Sequence, residues 1–322
     1  MKILKVNEGG DAAAVIHSTR EKSEDILKTL RSVAAELPCL TSDIVIGVNG
    51  SVARREVTSG SDVDLFFLTL DGDLAAAKSA QEEYRAKLVE KGIKMPAHGG
   101  VFENPLRTTQ LTATIGGEDD TNTYITRRML YLLEGEWVAN ESGFNDLRST
   151  LIARYISEDL DDQKIVRFFL NDVIRYWRTI CVDFEHKTAD STKPRAIRLV
   201  KLRLSRMLLY VAGIAAARQT VDCNAEAKRM KLAELLSIPP LERLGLIHGQ
   251  DKMQKVQALY ATFLSALDSE EIRSQLELPG AEGVATKEFE QLTEVARDFK
   301  IELLTLLGMD TGGDPLMEAL LL

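Results

Sequence analysis

Cysteine and histidine are scarce in this sequence, and their scarcity excludes two kinds of site. The 322 residues include 3 cysteines and 4 histidines, and Cys39, Cys181 and Cys223 lie far apart. This spacing fits neither a disulfide framework nor a zinc site built on paired cysteines, and no histidine cluster supplies zinc ligands instead. We therefore expect free thiols and no zinc.

Long apolar runs are also missing from the sequence. No stretch approaches the roughly 18 consecutive apolar residues of a membrane span, and the first residues lack the apolar run of a signal peptide. We therefore expect a cytoplasmic protein with no membrane partner. With 45% hydrophobic residues and no long polar tract, the chain can bury a core. Its length is typical of two domains.

Positive charge is in the minority. Lysine and arginine total 40 against 49 acidic residues, a net charge of -9, which argues against nucleic-acid binding over the whole surface. The segment from Lys164 to Arg206 is the exception, because 11 basic residues stand there against 4 acidic ones, a net of +7. Its cations either bind a triphosphate or a nucleic-acid acceptor from two helix faces, or pair with acids elsewhere. The candidate nucleotide-binding residues of this segment are Arg175, Arg178, Arg198 and Lys201.

Hydrophobic periodicity divides the chain into two parts. Residues 18–37 predict a helix capped by Ser18, residues 44–48, 63–70 and 111–115 predict strands, and residues 73–91 predict a second helix. After Thr123 the periodicity is helical. The sequence therefore predicts an α+β fold: a mixed β-sheet with flanking helices over residues 1–135, then an all-α helical bundle domain over residues 136–322 with a loose tail from about 308.

The pattern with the clearest chemistry joins a glycine-serine turn to a pair of aspartates. Gly50 and Ser51 follow the first predicted strand, and Asp62-Val63-Asp64 opens the second. Because alternate side chains of a strand share a face, we expect Asp62 and Asp64 to point the same way, with Val63 on the buried side. Neighbouring carboxylates repel each other, and a magnesium ion, which prefers hard oxygen ligands, relieves that repulsion. The two aspartates are therefore the candidate metal ligands.

The glycine-serine turn is the candidate phosphate-binding part of the site. Glycine lets the backbone approach a phosphate closely, and the Ser51 hydroxyl and the N–H groups that follow can donate hydrogen bonds to phosphate oxygens. Arg54 lies one helical turn further on and adds a positive charge. We therefore predict that Gly50, Ser51 and Arg54 bind a triphosphate opposite the aspartates, an arrangement suited to in-line attack on an α-phosphate.

The segment NGSVARREVTSGSDVDLFFL resembles the signature of the DNA polymerase β-like nucleotidyltransferase superfamily. The layout is most similar to nucleotidyltransferases related to the PII-protein uridylyltransferases, because of a GGVFENPL loop at residues 99–106 and an arginine-bearing helix after an acidic loop at residues 118–128. The resemblance implies a mixed sheet with helices, a nucleoside triphosphate donor and two magnesium ions. It also implies transfer of a nucleoside monophosphate to a hydroxyl of a protein or an RNA, with release of pyrophosphate.

One carboxylate of that family pattern is not in its expected place. Members carry a third carboxylate on a later strand, where it helps to activate the acceptor hydroxyl, whereas the predicted strand LTATI contains no acidic residue. Glu103 is the first candidate for this catalytic role, and Glu118, Asp119 and Asp120 follow. If none of them reaches the metal site, the alternative is a non-catalytic nucleotide-binding regulator or an antitoxin-like partner with a degraded site.

Overall fold

The fold is mixed α+β, as the sequence predicts, and 67% of the residues that the structure describes are helical. A computed structural model describes residues 10–70, 72–96 and 102–309. The predicted tail from residue 310 onward, and residues 99–101 of the GGVFENPL loop, lie outside these ranges. Within the same ranges, no helix combines the length and the apolar character that a membrane span requires.

The strands lie before residue 140, and the described residues after it form helices and loops. The strands are β1 (Ile44–Asn49), β2 (Asp64–Thr69), β3 (Leu106–Arg107) and β4 (Glu136–Ala139). The helices before β4 are α1 (Gly10–Ala35), α2 (Gly50–Ala53), α3 (Leu74–Glu90), α4 (Thr109–Thr112) and α5 (Asn122–Leu133). After β4 come α6 (Glu141–Tyr155), α7 (Arg167–Thr188), α8 (Arg195–Lys201), a π-helical turn (Leu202–Arg206), α9 (Met207–Arg218), α10 (Ala225–Leu236), α11 (Pro240–His248), α12 (Gln250–Asp268), α13 (Glu270–Leu276), α14 (Gly280–Val284) and α15 (Lys287–Leu306).

The four strands form one mixed sheet in the order β3-β2-β1-β4. β1 pairs antiparallel with β2 on one side and with β4 on the other, while β3 runs parallel to β2 at the opposite edge. Because β4 is hydrogen-bonded to β1, the sheet extends past residue 135, where the sequence predicted the end of the first domain.

Each face of the sheet contributes to its own core. Alternate residues of β2 point to opposite faces. Phe66 and Leu68 join the core that includes the later helices, whereas Leu65 and Phe67 pack with residues of α1 and α3. Asp64 precedes Phe66 by two residues and therefore lies on the face that the later helices cover.

Two predictions of local structure need correction. α1 begins at Gly10, eight residues before the predicted cap, because the alanine-rich residues 11–16 also favour a helix, and Ser18 therefore lies inside it. The predicted strand at residues 111–115 is wrong, since Thr109–Thr112 forms a helical turn. The Gln110 side chain accepts the Arg107 N–H at 2.9 Å, and β3 ends there. The predicted helix at residues 73–91 is confirmed as α3.

Gly47 leaves room for the ring of Phe66 on the neighbouring strand. The two residues are cross-strand partners, and a Cβ on Gly47 would lie 2.1 Å from Phe66 Cζ. The Phe66 ring cannot shift far from such a Cβ, because its centroid lies 5.0 Å from that of Phe102 and 5.6 Å from that of Tyr131. We expect Gly47→Ala to lower the free energy of unfolding by about 1–3 kcal/mol, the usual cost of overpacking. Urea denaturation measures this, and a value within about 0.5 kcal/mol of wild type would contradict the packing described.

Candidate active-site cleft

The glycine-serine turn and the aspartate pair meet at one end of the β1–β2 ladder. β1 ends at Asn49, whose partner across the ladder is Asp64, the first residue of β2. Gly50 follows with φ +75°, and a Cβ built on it would lie 2.6 Å from Asp64 Oδ2. Glycine is therefore required both by the left-handed backbone and by the closeness of the carboxylate.

The turn and the aspartates open onto a cleft that the later helices close from the other side. It encloses about 560 Å³, including space open to solvent. Six of the predicted site residues line it: Gly50, Ser51, Arg54, Asp62, Asp64 and Lys201. The other lining residues, which the sequence did not suggest, are Glu56, Thr58, Ser61, Ser205, Arg206, Phe263, Leu264 and Leu267.

Asp62 and Asp64 face this cleft together, while Val63 between them is buried. Asp64 begins β2, and Asp62 precedes the strand. Asp64 is exposed to solvent along the cleft, while Gly50 lies close against its carboxyl group. Burial, followed by the negative charge of Asp62, raises the pKa of Asp64 to about 6, against the opposing effect of Arg206 and Arg54. A cation bound between the aspartates would relieve this cost.

The oxygens of this pair fit the chemistry of magnesium. Magnesium is usually bound through one or two carboxylates, and phosphate oxygens and water complete its coordination. Asn49 and Asp64 are directly opposite in the ladder, so their side chains share a face, and the buried Asn49 Oδ1 has no hydrogen-bond partner among the described residues. No group of three or more acidic, histidine or cysteine residues suited to a metal occurs within the described ranges. Asp62 and Asp64, which line the cleft together, are the residues that could hold such an ion.

The helix that closes the cleft contains a π-helical turn. α8 continues through Leu202–Arg206 into α9, and such turns are frequent at functional sites. Around this turn Lys201, Ser205 and Arg206 line the cleft. Burial, followed by the nearby charge of Arg273, lowers the pKa of Lys201, and Asp62 opposes the change. A bound anion would favour the charged form of this lysine.

Arg54 lies at the base of the cleft between two glutamates. Its side chain is buried and forms ion pairs with Glu56 and Glu134. Glu56 also accepts a hydrogen bond from the hydroxyl of Tyr260 in α12, which lies 3.2 Å from Ser205 Oγ. The charge of Arg54 is therefore neutralised within the protein, and the residue anchors the turn instead of projecting freely toward a ligand.

The connector between the turn and the aspartates is attached to the end of α12. The Ser59 N–H donates to Asp268 Oδ1 at 2.7 Å, and Ser59 Oγ donates to the Asp268 carbonyl at 3.1 Å. Gly60 lies so close to the guanidinium of Arg273 that a Cβ would be 1.9 Å from Cζ. The position of Asp62, two residues further on, depends on these contacts with α12 and α13.

Three predicted nucleotide-binding arginines, Arg175, Arg178 and Arg198, do not line the cleft. Arg178 is exposed on α7, and Arg198 donates to the carbonyl of Lys187 at 3.4 Å. Within the part of the chain that the structure describes, the basic segment 164–206 reaches the cleft lining only through Lys201, Ser205 and Arg206.

Arg175 and Asp120 belong to a separate buried network. Asp120 accepts from Arg128 at 3.1 and 2.9 Å and from Arg175 at 2.8 Å. Arg128 also donates to Asp172 at 2.7 Å. Although burial has the opposite effect, the hydrogen bonds from Arg128 hold the pKa of Asp120 below its usual range. Asp120 therefore neutralises arginines here and does not act as the third carboxylate of the cleft. Its neighbours Glu118 and Asp119 are exposed and do not line the cleft.

Glu103 lies beside α3 and does not line the cleft. The charge of Glu103 acts on Arg85 of that helix, and the next residue, Asn104, accepts a hydrogen bond from Lys78 of the same helix at 3.2 Å. α3 covers the face of the sheet opposite to Asp64. The structure therefore does not bring the first candidate for the third carboxylate to the aspartate pair.

No family model matches the chain, and no curated protein matches its sequence.

The contact between Gly50 and Asp64 can be tested against a matched glycine. Gly92 has φ +77° with nothing within 4 Å of a built Cβ, whereas Gly50 has φ +75° and the carboxylate at 2.6 Å. Both alanine variants lose about 1–2 kcal/mol to the left-handed backbone. We expect Gly50→Ala to lose more free energy of unfolding than Gly92→Ala in urea denaturation, because it also displaces Asp64. Equal losses of unfolding free energy in the two variants would mean that the closeness of Asp64 to Gly50 adds no further destabilisation.

The titration of Asp64 predicts how stability depends on pH. Its pKa of about 6 in the folded protein exceeds that of the unfolded chain, so ionisation of Asp64 disfavours the metal-free fold. We expect Asp64→Asn to be more stable than wild type at pH 8 in EDTA, by about 1 kcal/mol after allowance for solvent screening. The advantage should disappear as the pH falls from 6 to 4, where the folded wild type is protonated. Thermal unfolding across this range measures it, and a difference that does not change with pH would argue against the raised pKa.

Proposed function

We propose that this protein is a magnesium-dependent nucleotidyltransferase. It transfers a nucleoside monophosphate from a nucleoside triphosphate to a hydroxyl of a protein or an RNA and releases pyrophosphate. The observation that carries the proposal is the contact between Gly50 and Asp64, which unites both halves of the motif in one cleft with Ser51, Asp62 and Lys201.

Five of the lining residues have a chemical part in this reaction: Ser51, Asp62, Asp64, Lys201 and Arg206. Asp62 and Asp64 would hold magnesium, which would supply positive charge against the phosphate oxygens. Ser51 donates its hydroxyl to a phosphate oxygen, and Lys201 and Arg206 supply positive charge from the opposite wall. The acceptor oxygen forms its bond to the α-phosphorus as the bond to the leaving pyrophosphate breaks, and the proton of the acceptor hydroxyl passes to solvent water in the open cleft.

The two parts of the fold have different roles in this reaction. The sheet with α1 to α5 is a nucleotidyltransferase fold, and the helices after β4 form a helical domain that completes the cleft and meets the acceptor. A nucleoside triphosphate donor fits a cytoplasmic location. The resemblance to uridylyltransferases favours a protein acceptor, whereas the basic segment 164–206 suits the phosphates of an RNA.

A second candidate function is nucleotide binding without catalysis. Two observations favour it. Glu103 lies beside α3 and away from the cleft, and Glu56, the acid that lines the cleft besides Asp62 and Asp64, is bound by other side chains. Glu56 is ion-paired with Arg54 and bonded to Tyr260, so neither acid is placed to take a proton from an acceptor hydroxyl. On this view the chain is a nucleotide-binding regulator or an antitoxin-like partner.

Incubation with magnesium and each labelled nucleoside triphosphate, in the presence of protein and RNA acceptor pools, tests the two functions. We expect Asp62→Ala/Asp64→Ala to reduce pyrophosphate release by about 100-fold or more, because it removes both metal ligands. The matched control is Glu82→Ala/Glu83→Ala, which removes two exposed acids of α3 and should behave as wild type.

The outcomes separate the proposals. Equal pyrophosphate release by the wild type and the aspartate variant would reject the role of the aspartates. Magnesium-dependent binding without pyrophosphate release, lost in the aspartate variant, would select the second function. Binding raises the melting temperature by mass action, and no shift with any of the four nucleotides would reject both.

A further inference from the structure

Glu134 connects the two walls of the cleft from beneath. It lies in the turn between α5 and β4, and its side chain is fully buried. Its Oε1 accepts the N–H of Gly50 at 3.1 Å and Nη1 of Arg206 at 3.2 Å, while Oε2 accepts a hydrogen bond from Arg54. One carboxylate is thus bonded to the glycine turn on one wall and to the π-helical turn on the other.

The backbone on both sides of Glu134 is also held by arginines. The carbonyl of Leu133 accepts from Arg243 at 2.7 Å, and the carbonyl of Gly135 accepts from Arg148 at 2.7 Å. Both of these arginines are buried. The carboxylate is therefore fixed in place and sets the positions of the groups that bind to it.

Glu134 is ionised in this environment. Although burial favours the neutral form, Arg54 and Arg206 hold the pKa of Glu134 below its usual range. Without the negative charge, two guanidinium groups would face each other at the base of the cleft, an arrangement that costs far more than a surface charge. The separation of the walls is therefore maintained by charge as well as by hydrogen bonds.

We propose that Glu134 is a positioning residue that sets the spacing between the Gly50 turn and Arg206, so that a magnesium-bound triphosphate is held from both walls. The inference rests on the proposed function. Arg206 keeps 32% of its side chain exposed while its Nη1 is fixed by Glu134, so it can contact the ligand. Glu134 does not line the cleft and acts through Gly50 and Arg206.

Glu136 provides a matched control in the same stretch of chain. Its carboxylate also binds two arginines, Arg31 at 2.9 Å and Arg55 at 2.8 Å. It belongs to β4 and does not line the cleft. Glu136→Gln therefore removes a comparable double ion pair without touching the nucleotide site, and it separates a loss of stability from a loss of positioning.

The test measures dissociation constants of the full chain for each of the four nucleoside triphosphates with magnesium, by isothermal titration calorimetry. We expect Glu134→Gln and Arg206→Gln each to weaken binding by about 10-fold, a typical effect of losing a residue that orients a binding group. Glu136→Gln should bind as wild type. The double variant Glu134→Gln/Arg206→Gln should weaken binding by clearly less than the product of the two single losses, because both changes break the same contact between Glu134 and Arg206. If circular dichroism shows Glu134→Gln to be unfolded, Glu134→Asp, which shortens the side chain and keeps the charge, replaces it with the same expectation.

Two results would overturn the inference alone: wild-type affinity of the folded Glu134 variant, or losses from the two single variants that multiply in the double variant. A wild-type chain that binds none of the four nucleotides would instead reject the proposed function on which the inference rests.

Discussion

The register between β1 and β2 is the constraint on which the candidate site depends. It pairs Asn49 with Asp64, which brings Gly50 against the carboxylate, and it pairs Gly47 with Phe66. A slip of one residue would turn every side chain of β2 to the other face, so Asp64 would face α1 and α3 and Phe66 would leave the aromatic core. The same strand register therefore determines both the packing of the Phe66 ring on Gly47 and the position of Asp64 beside Gly50.

The net charge of the molecule does not show where its charged residues are and what they contact. Two of the eleven basic residues between 164 and 206 are bonded to buried acids, Arg175 to Asp120 and Arg206 to Glu134. Breaking such a buried pair strands a charge in the interior, although making one adds little net stability. These ion pairs therefore hold segments that are distant in the sequence in fixed positions relative to each other. The cleft lies between two such segments.

The sequence predicted the parts of the site that depend on local pattern. The end of a β-branched run at Gly50 and the Asp-Val-Asp alternation are both read from neighbouring residues, and the structure places them together. Glu134 and Arg206 were missed because Glu134 lies 84 residues after Gly50 and 72 before Arg206, and no periodicity encodes a pairing over such separations. Glu103 was predicted as the third carboxylate because it follows the aspartate pair in the chain. Its loop packs on α3 instead, which lies on the other face of the sheet from Asp64.

The attachment of Ser59 to Asp268 has a consequence for the folding pathway. This contact joins residues 209 positions apart, so it forms only after the entropy of closing a very long loop has been overcome. Contacts of this kind slow folding and belong to its later stages. β1 and β2 can pair early because they are close in sequence, whereas the connector that carries Asp62 acquires its final position only when α12 has docked. The candidate site is therefore expected to be among the last regions of the molecule to become ordered.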